Sequence, residues 1–153
     1  MKRLTAIGLI TLMLGPTAWA DPIPDESEVR IFSDSLRLVD RTGVVQFEGN
    51  VQIEFTGMTM SCDQLTVRTS QEDPSKVLSG TATGHVAMNH SQDRIEAGEA
   101  RFDLERSTVD LTDSPSLFRG QTTIHAERIV YLLDEGTATF YGPVRAVFVK
   151  AGE

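Results

Sequence analysis

Residues 47–67 read FEGNVQIEFTGMTMSCDQLTV. Phe47, Gly49, Val51 and Ile53 alternate with Glu48, Asn50, Gln52 and Glu54. That is the period of a strand with one apolar face. Thr56-Gly57 interrupts the run, and a second alternation follows in which Met60 and Cys62 share one phase and Leu65 and Val67 the other. The step from Cys62 to Leu65 is one residue too long, so a bulge or corner at Asp63-Gln64 is needed to keep both halves on one face.

The same slip recurs at Ile31, Ser33, Leu36 and Leu38, at Ile95, Ala97, Ala100 and Phe102, and at Ile124, Ala126, Ile129 and Tyr131. An acid sits at each slip: Asp34, Asp63, Glu99 and Glu127. The Phe47 element also recurs, at Ala82 to Met88 and at Phe140 to Ala146, and in a degraded form at Leu111 to Leu117, where Asp113 and Pro115 replace Gly and Val. Successive starts lie 29, 35 and 29 residues apart for the first element and 35, 29 and 29 for the second, and one insertion around 71–76 explains both long steps. The chain is therefore expected to hold four copies of a unit of about 29 residues, each with two long strands.

Outward from this repeat, Lys2 and Arg3, the apolar run Leu4 to Leu14 and the Ala18-Trp19-Ala20 site form an export signal over 1–20. Cleavage is expected after Ala20; an uncleaved anchor is the alternative. Residues 21–28, with Pro22, Pro24 and four acids, are a flexible lead-in to one all-β domain over 29–150. Strands are expected at 29–38, 44–55, 58–68, 77–88, 94–104, 108–111, 122–133 and 137–150, with a surface loop at 69–76, a turn at 89–93 and an irregular stretch at 112–116.

The whole chain carries 14 basic and 22 acidic residues. Removing the signal takes Lys2 and Arg3 and no acid, so the acidic excess rises from 8 to 10. No basic patch offsets phosphates, so a nucleic-acid partner is not expected. Cys62, the single cysteine, makes an internal disulfide impossible. Its slot holds Ser33, Ala97 and Ala126 in the other copies, which suits a small buried residue better than a nucleophile. His85 and His125 fall out of phase with the apolar set and His90 falls in a turn; their spacing fits no zinc signature, and neither a metal nor a cofactor is expected. Four equivalent acids at four equivalent corners suit the corners better than acid–base catalysis, which needs two uniquely placed carboxyls.

What remains is the apolar face. It carries Leu36, Leu38, Phe47, Val51 and Ile53; Met60, Leu65 and Val67; Val86 and Met88; Ile95, Phe102 and Leu104; Leu111 and Leu117; Ile124, Ile129 and Tyr131; and Phe140 and Val144. Periodicity allows either a packed core or an open groove for a lipid. All but Val67 and Leu111 are the candidate lining of such a groove, whose aliphatic and Met walls suit acyl chains.

F-x-G-N-V-x-I at Phe47 to Ile53, M-x-C-D-x-L-x-V at Met60 to Val67 and S-D-S-L-R-L at Ser33 to Leu38 resemble the OstA-like, LptA-type family. The resemblance covers nearly all of 29–148. Cys62 replaces the family's usual Ala, the insertion near Pro74 is a departure, and the chain ends soon after its last strand. The resemblance implies a twisted antiparallel β-jelly roll with a hydrophobic groove, and no catalysis. It implies a Gram-negative periplasmic protein that carries lipopolysaccharide, by its lipid A moiety, in outer-membrane biogenesis. The implied partners are an inner-membrane anchored LptC-like protein, an outer-membrane LptD-like protein and further copies stacked head to tail. Two other readings stand beside it: a ligand-free structural module that forms periplasmic filaments, and an exported enzyme acting on cell-envelope glycans.

Overall fold

The computed structural model describes residues 28–39 and 41–152. The export segment and the lead-in before Glu28 lie outside the described residues. Among the described residues twelve strands form one antiparallel sheet: β1 (Arg30–Phe32), β2 (Ser35–Val39), β3 (Val44–Phe55), β4 (Met58–Thr69), β5 (Val77–His90), β6 (Asp93–Asp103), β7 (Thr108–Thr112), β8 (Ser116–Arg119), β9 (Thr122–His125), β10 (Arg128–Leu132), β11 (Thr137–Tyr141) and β12 (Arg145–Val147). Among the described residues there is no helix. This is the expected all-β, jelly-roll-like architecture.

The slips draw a line across the whole sheet. Glu48 pairs with Gln64 and Val51 with Cys62, so Gly49 and Asn50 together face Asp63. Gly84 and His85 face Asp63 on one side and Gly98 on the other. Each such pair takes left-handed backbone: φ is 81° and 46° at Gly49 and Asn50, and 77° and 48° at Gly84 and His85. Side chains resist that conformation, which is why glycine leads each pair. The third copy has exchanged its residues. Gly98 stands at the slip and Asp113 stands opposite, its backbone carbonyl accepting from the Gly98 N–H at 3.0 Å. Asp113 and Ser114 take the positive φ values, 64° and 58°. The acid that meets a glycine here is therefore Asp113, not Glu99, whose side chain instead accepts from Arg101 Nε at 2.7 Å. The degraded copy is a swapped copy.

On either side of this line lies a half-sheet of eight strand segments. In the first, one inner row runs Ile31, Ile53, Met60, Met88, Ile95, Leu117, Ile124, Ala146. In the second, the matching row runs Leu36, Phe47, Leu65, Ala82, Ala100, Leu111, Ile129, Phe140. The equivalent positions of the four repeats alternate along these rows. β3 to β6 cross the fold line unbroken, whereas the expected strands 29–38, 122–133 and 137–150 each split into two. Pro115 and Pro143 lack the N–H that would continue the ladder, so the sheet also parts between β7 and β8 and between β11 and β12. The expected 89–93 turn shrinks to Ser91-Gln92, because Ser91 accepts φ 55° and His90 pairs with Asp93.

Both inner faces contribute to a single apolar cluster. Cys62 belongs to it, 4% exposed, and burial together with the neighbouring Asp63 carboxylate pushes its thiol up to about 11. A thiol reagent at pH 8 is accordingly expected to label native protein far more slowly than protein in denaturant. Equal rates would show that Cys62 is not held in the interior.

Candidate functional site

The site to be judged is the space between the half-sheets. Of the candidate lining, Phe47, Val51, Ile53, Met60, Leu65, Val86, Met88, Ile95, Phe102, Leu117, Ile129 and Tyr131 are buried, together with Val67 and Leu111. Leu104 and Phe140 pack against this cluster while partly open, and Ile124 is half-buried. Leu36, Leu38 and Val144 are exposed. The burial is graded along the rows, and it is complete over β3 to β7.

At the β1–β2 edge the inner row opens: Leu36 is 55% and Leu38 71% exposed. A cleft of about 490 Å³ lies there, lined by Leu38, Val39, Val44, Val45 and Pro74 with Arg41 beside them. Pro74 comes from the 71–76 insertion, which thus forms one lip of the cleft. At the opposite edge Tyr141, Val144, Val147, Phe148 and Val149 are exposed. Single exposed apolar side chains are ordinary, but contiguous ones on unpaired sheet edges mark contact surfaces.

A polar cluster joins the two half-sheets. Asp93, 4% exposed, starts β6 in the first half-sheet and accepts two hydrogen bonds from Arg119, at 2.6 Å and 2.7 Å. Tyr131, from β10 of the second half-sheet, donates its hydroxyl to Asp93 at 3.1 Å. The hydroxyl has one proton, so His90 Nδ1, 3.0 Å away, must be the donor in its own bond to that oxygen. The His90 and Tyr131 rings meet edge to face at 5.4 Å. Arg119's hydrogen bonds hold the Asp93 carboxyl below the usual carboxylate range against the opposing effect of burial. The pair's contribution is thus present above that range and is lost only as pH falls through the lowered value. Burial and the bond to Asp93 push Tyr131 up to about 12. This cluster escaped the sequence, where His90 reads as a turn residue and Asp93 and Tyr131 are 38 positions apart.

The remaining polar candidates lie on the outer face. His85 bonds Asp63 at 2.7 Å and His125 bonds Ser116 at 2.6 Å, both exposed. Asn50 donates to Asp34 at 2.8 Å. The acids at the fold line thus serve the corners, meeting the side chain or the glycine opposite them.

Residues 30–137 match the sequence model of a family described as LptA/(LptD N-terminal domain) LPS transport protein. No curated protein sequence matches. Among solved structures, LptH of Pseudomonas aeruginosa is described as the LptA-homologous periplasmic component of a conserved lipopolysaccharide transport device. It aligns at a TM-score of 0.70 and 16% identity, over 82% of this chain and 97% of that one. At that identity the likeness is one of fold, and it agrees with the bent antiparallel sheet described above. The matched segment spans β1 to the start of β11, so the chain belongs to the LptA/LptD N-terminal domain family of lipopolysaccharide transport proteins.

Proposed function

We propose that this protein carries lipopolysaccharide through the periplasm, with the lipid A acyl chains between the half-sheets and the sugars outside. The observation that carries the reading is the pair of apolar inner rows, which open toward both edges of the sheet: Leu36 is exposed and Ile31 partly open at the β1–β2 edge, and Ala146 is exposed and Phe140 partly open at the far edge. A row that is sealed in the middle and open at its ends suits a passage that continues into a neighbour. We infer that further jelly-roll domains, whether copies of this chain or its LptC-like and LptD-like partners, dock on these edges by strand addition. Burying an acyl chain of about 12 carbons stabilises the complex by roughly 10 kcal/mol before entropy losses. The acidic surface, with a formal net charge of −8 for the whole chain, repels anionic headgroups, so the chains and not the phosphates are the expected handle.

Photo-crosslinking in cells, read with a lipopolysaccharide antibody, tests the reading. Probes at Leu36, Leu38 and Phe140 on the inner rows are expected to capture lipopolysaccharide, and probes at exposed Gln52 and Glu54 are not. Equal capture from both sets would defeat it. Leu38→Glu should also weaken association between copies by about tenfold, seen as a shift in sedimentation, because it places a charge on an edge that must lose water to pair. The complete burial of Val51, Met88 and Ile95 favours a second reading, a ligand-free structural module.

A further inference from the structure

We propose that Asp93, Arg119, Tyr131 and His90 form a clasp that must release for an amphiphile to enter from the side, between the half-sheets. This rests on the lipid-carrier reading above. Met88, Ile95, Leu111 and Ile129 are wholly buried, so acyl chains enter only if the two inner faces separate. The fold line, with its left-handed pairs at Gly49-Asn50 and Gly84-His85, lies at the closed side of that movement. His90 and Asp93 flank the Ser91-Gln92 turn at the free ends of β5 and β6, away from the fold line. Tyr131 reaches them from β10 of the other half-sheet.

The chemistry suits a release point. An apolar closure would hold the faces as well or better, because buried ion pairs are seldom more stabilising than hydrophobic side chains of similar size. A polar closure differs in what happens on opening: its carboxylate, guanidinium, hydroxyl and imidazole all regain water. Arg119 is already half exposed, so the Asp93–Arg119 pair can persist on the first half-sheet while the tyrosine hydroxyl leaves. The bonds that break on separation are those of Tyr131. A headgroup too bulky to thread lengthwise would stay in solvent throughout such an entry.

Tyr131→Phe keeps the ring and deletes the clasp's link between half-sheets; Asp93→Ala removes the tyrosine's acceptor on the first half-sheet and is the second variant should the first fold poorly. Spin labels at Gln92 and Glu135, in turns on opposite half-sheets, are attached in a Cys62→Ala background. Tyr131→Phe is expected to add a longer-distance population, and to speed uptake of fluorescent lipopolysaccharide about 25-fold, the effect of the two net hydrogen bonds its hydroxyl makes. Unchanged distances in both variants would overturn the clasp. So would unchanged uptake by variants that open while the parent protein binds. If neither parent nor variants take up lipid, the carrier reading falls, and the spin-label distances still decide whether the clasp holds the faces together.

Discussion

Val51→Glu is expected to unfold the isolated domain, whereas Gln52→Glu, one residue along the same strand, should leave its melting temperature almost unchanged. Val51 is wholly buried, and its cross-strand partner is buried Cys62. A carboxylate there must either stay charged without water or take up a proton. Taking a proton at pH 7 by a group whose ordinary pKa is near 4.3 costs about 3.7 kcal/mol. The larger side chain adds overpacking of about 1–3 kcal/mol. Together these approach the whole stability of a typical domain, about 5–15 kcal/mol. Gln52 faces solvent, so its added charge meets water and little else. Thermal unfolding beside lipopolysaccharide binding reads both variants. A Val51→Glu protein that melts near the parent temperature would mean that water already reaches β3 between the half-sheets. If that folded protein also bound lipid normally, the passage would not run past Val51.

Gly80→Ala is expected to destabilise the domain by about 1–3 kcal/mol, although alanine is the better strand residue by roughly 0.5–1 kcal/mol on backbone entropy alone. Packing decides the sign. A β-carbon at Gly80 would collide with Phe102 Cζ and lie 2.7 Å and 2.9 Å from Phe102 Cε1 and Cε2. Phe102 is its direct cross-strand partner and only 3% exposed, so the ring has no solvent into which to retreat. Shortening it should therefore rescue the substitution. In Gly80→Ala/Phe102→Leu the two costs should fall short of their sum by about 1–2 kcal/mol, measured by urea unfolding of all four proteins. Strictly additive costs would mean that the ring does not fill the space above Gly80.

The alternation in Phe47 to Phe55 was enough to define β3, and the structure begins and ends that strand where the pattern does, at Val44 and Phe55. The repeat was legible for the same reason. Side chains in a strand alternate whatever surrounds them, and a one-residue slip leaves its mark wherever both halves must face one core. That mark locates a corner, but not its partner across the ladder. The exchange of Gly98 and Asp113 therefore reads as decay in the sequence and as conservation of the pairing in space. Nor does a slip say whether a strand bends or breaks. β4 and β5 bend because ladders hold them on both sides, while Pro115 and Pro143 end pairing at their own positions.

Which side chains face inward was set by the sequence alone; how near the two inner faces come was not. Alternation is a property of each strand, but the separation of the half-sheets depends on the volumes of residues far apart in the chain. Phe102 closing over Gly80 is one such fit, and Tyr131 reaching Asp93 across the interior is another. The inner rows were thus written in the chain from the start. Their sealed middle, open ends and polar clasp exist only once the sheet has folded along its line of bulges and brought those volumes together.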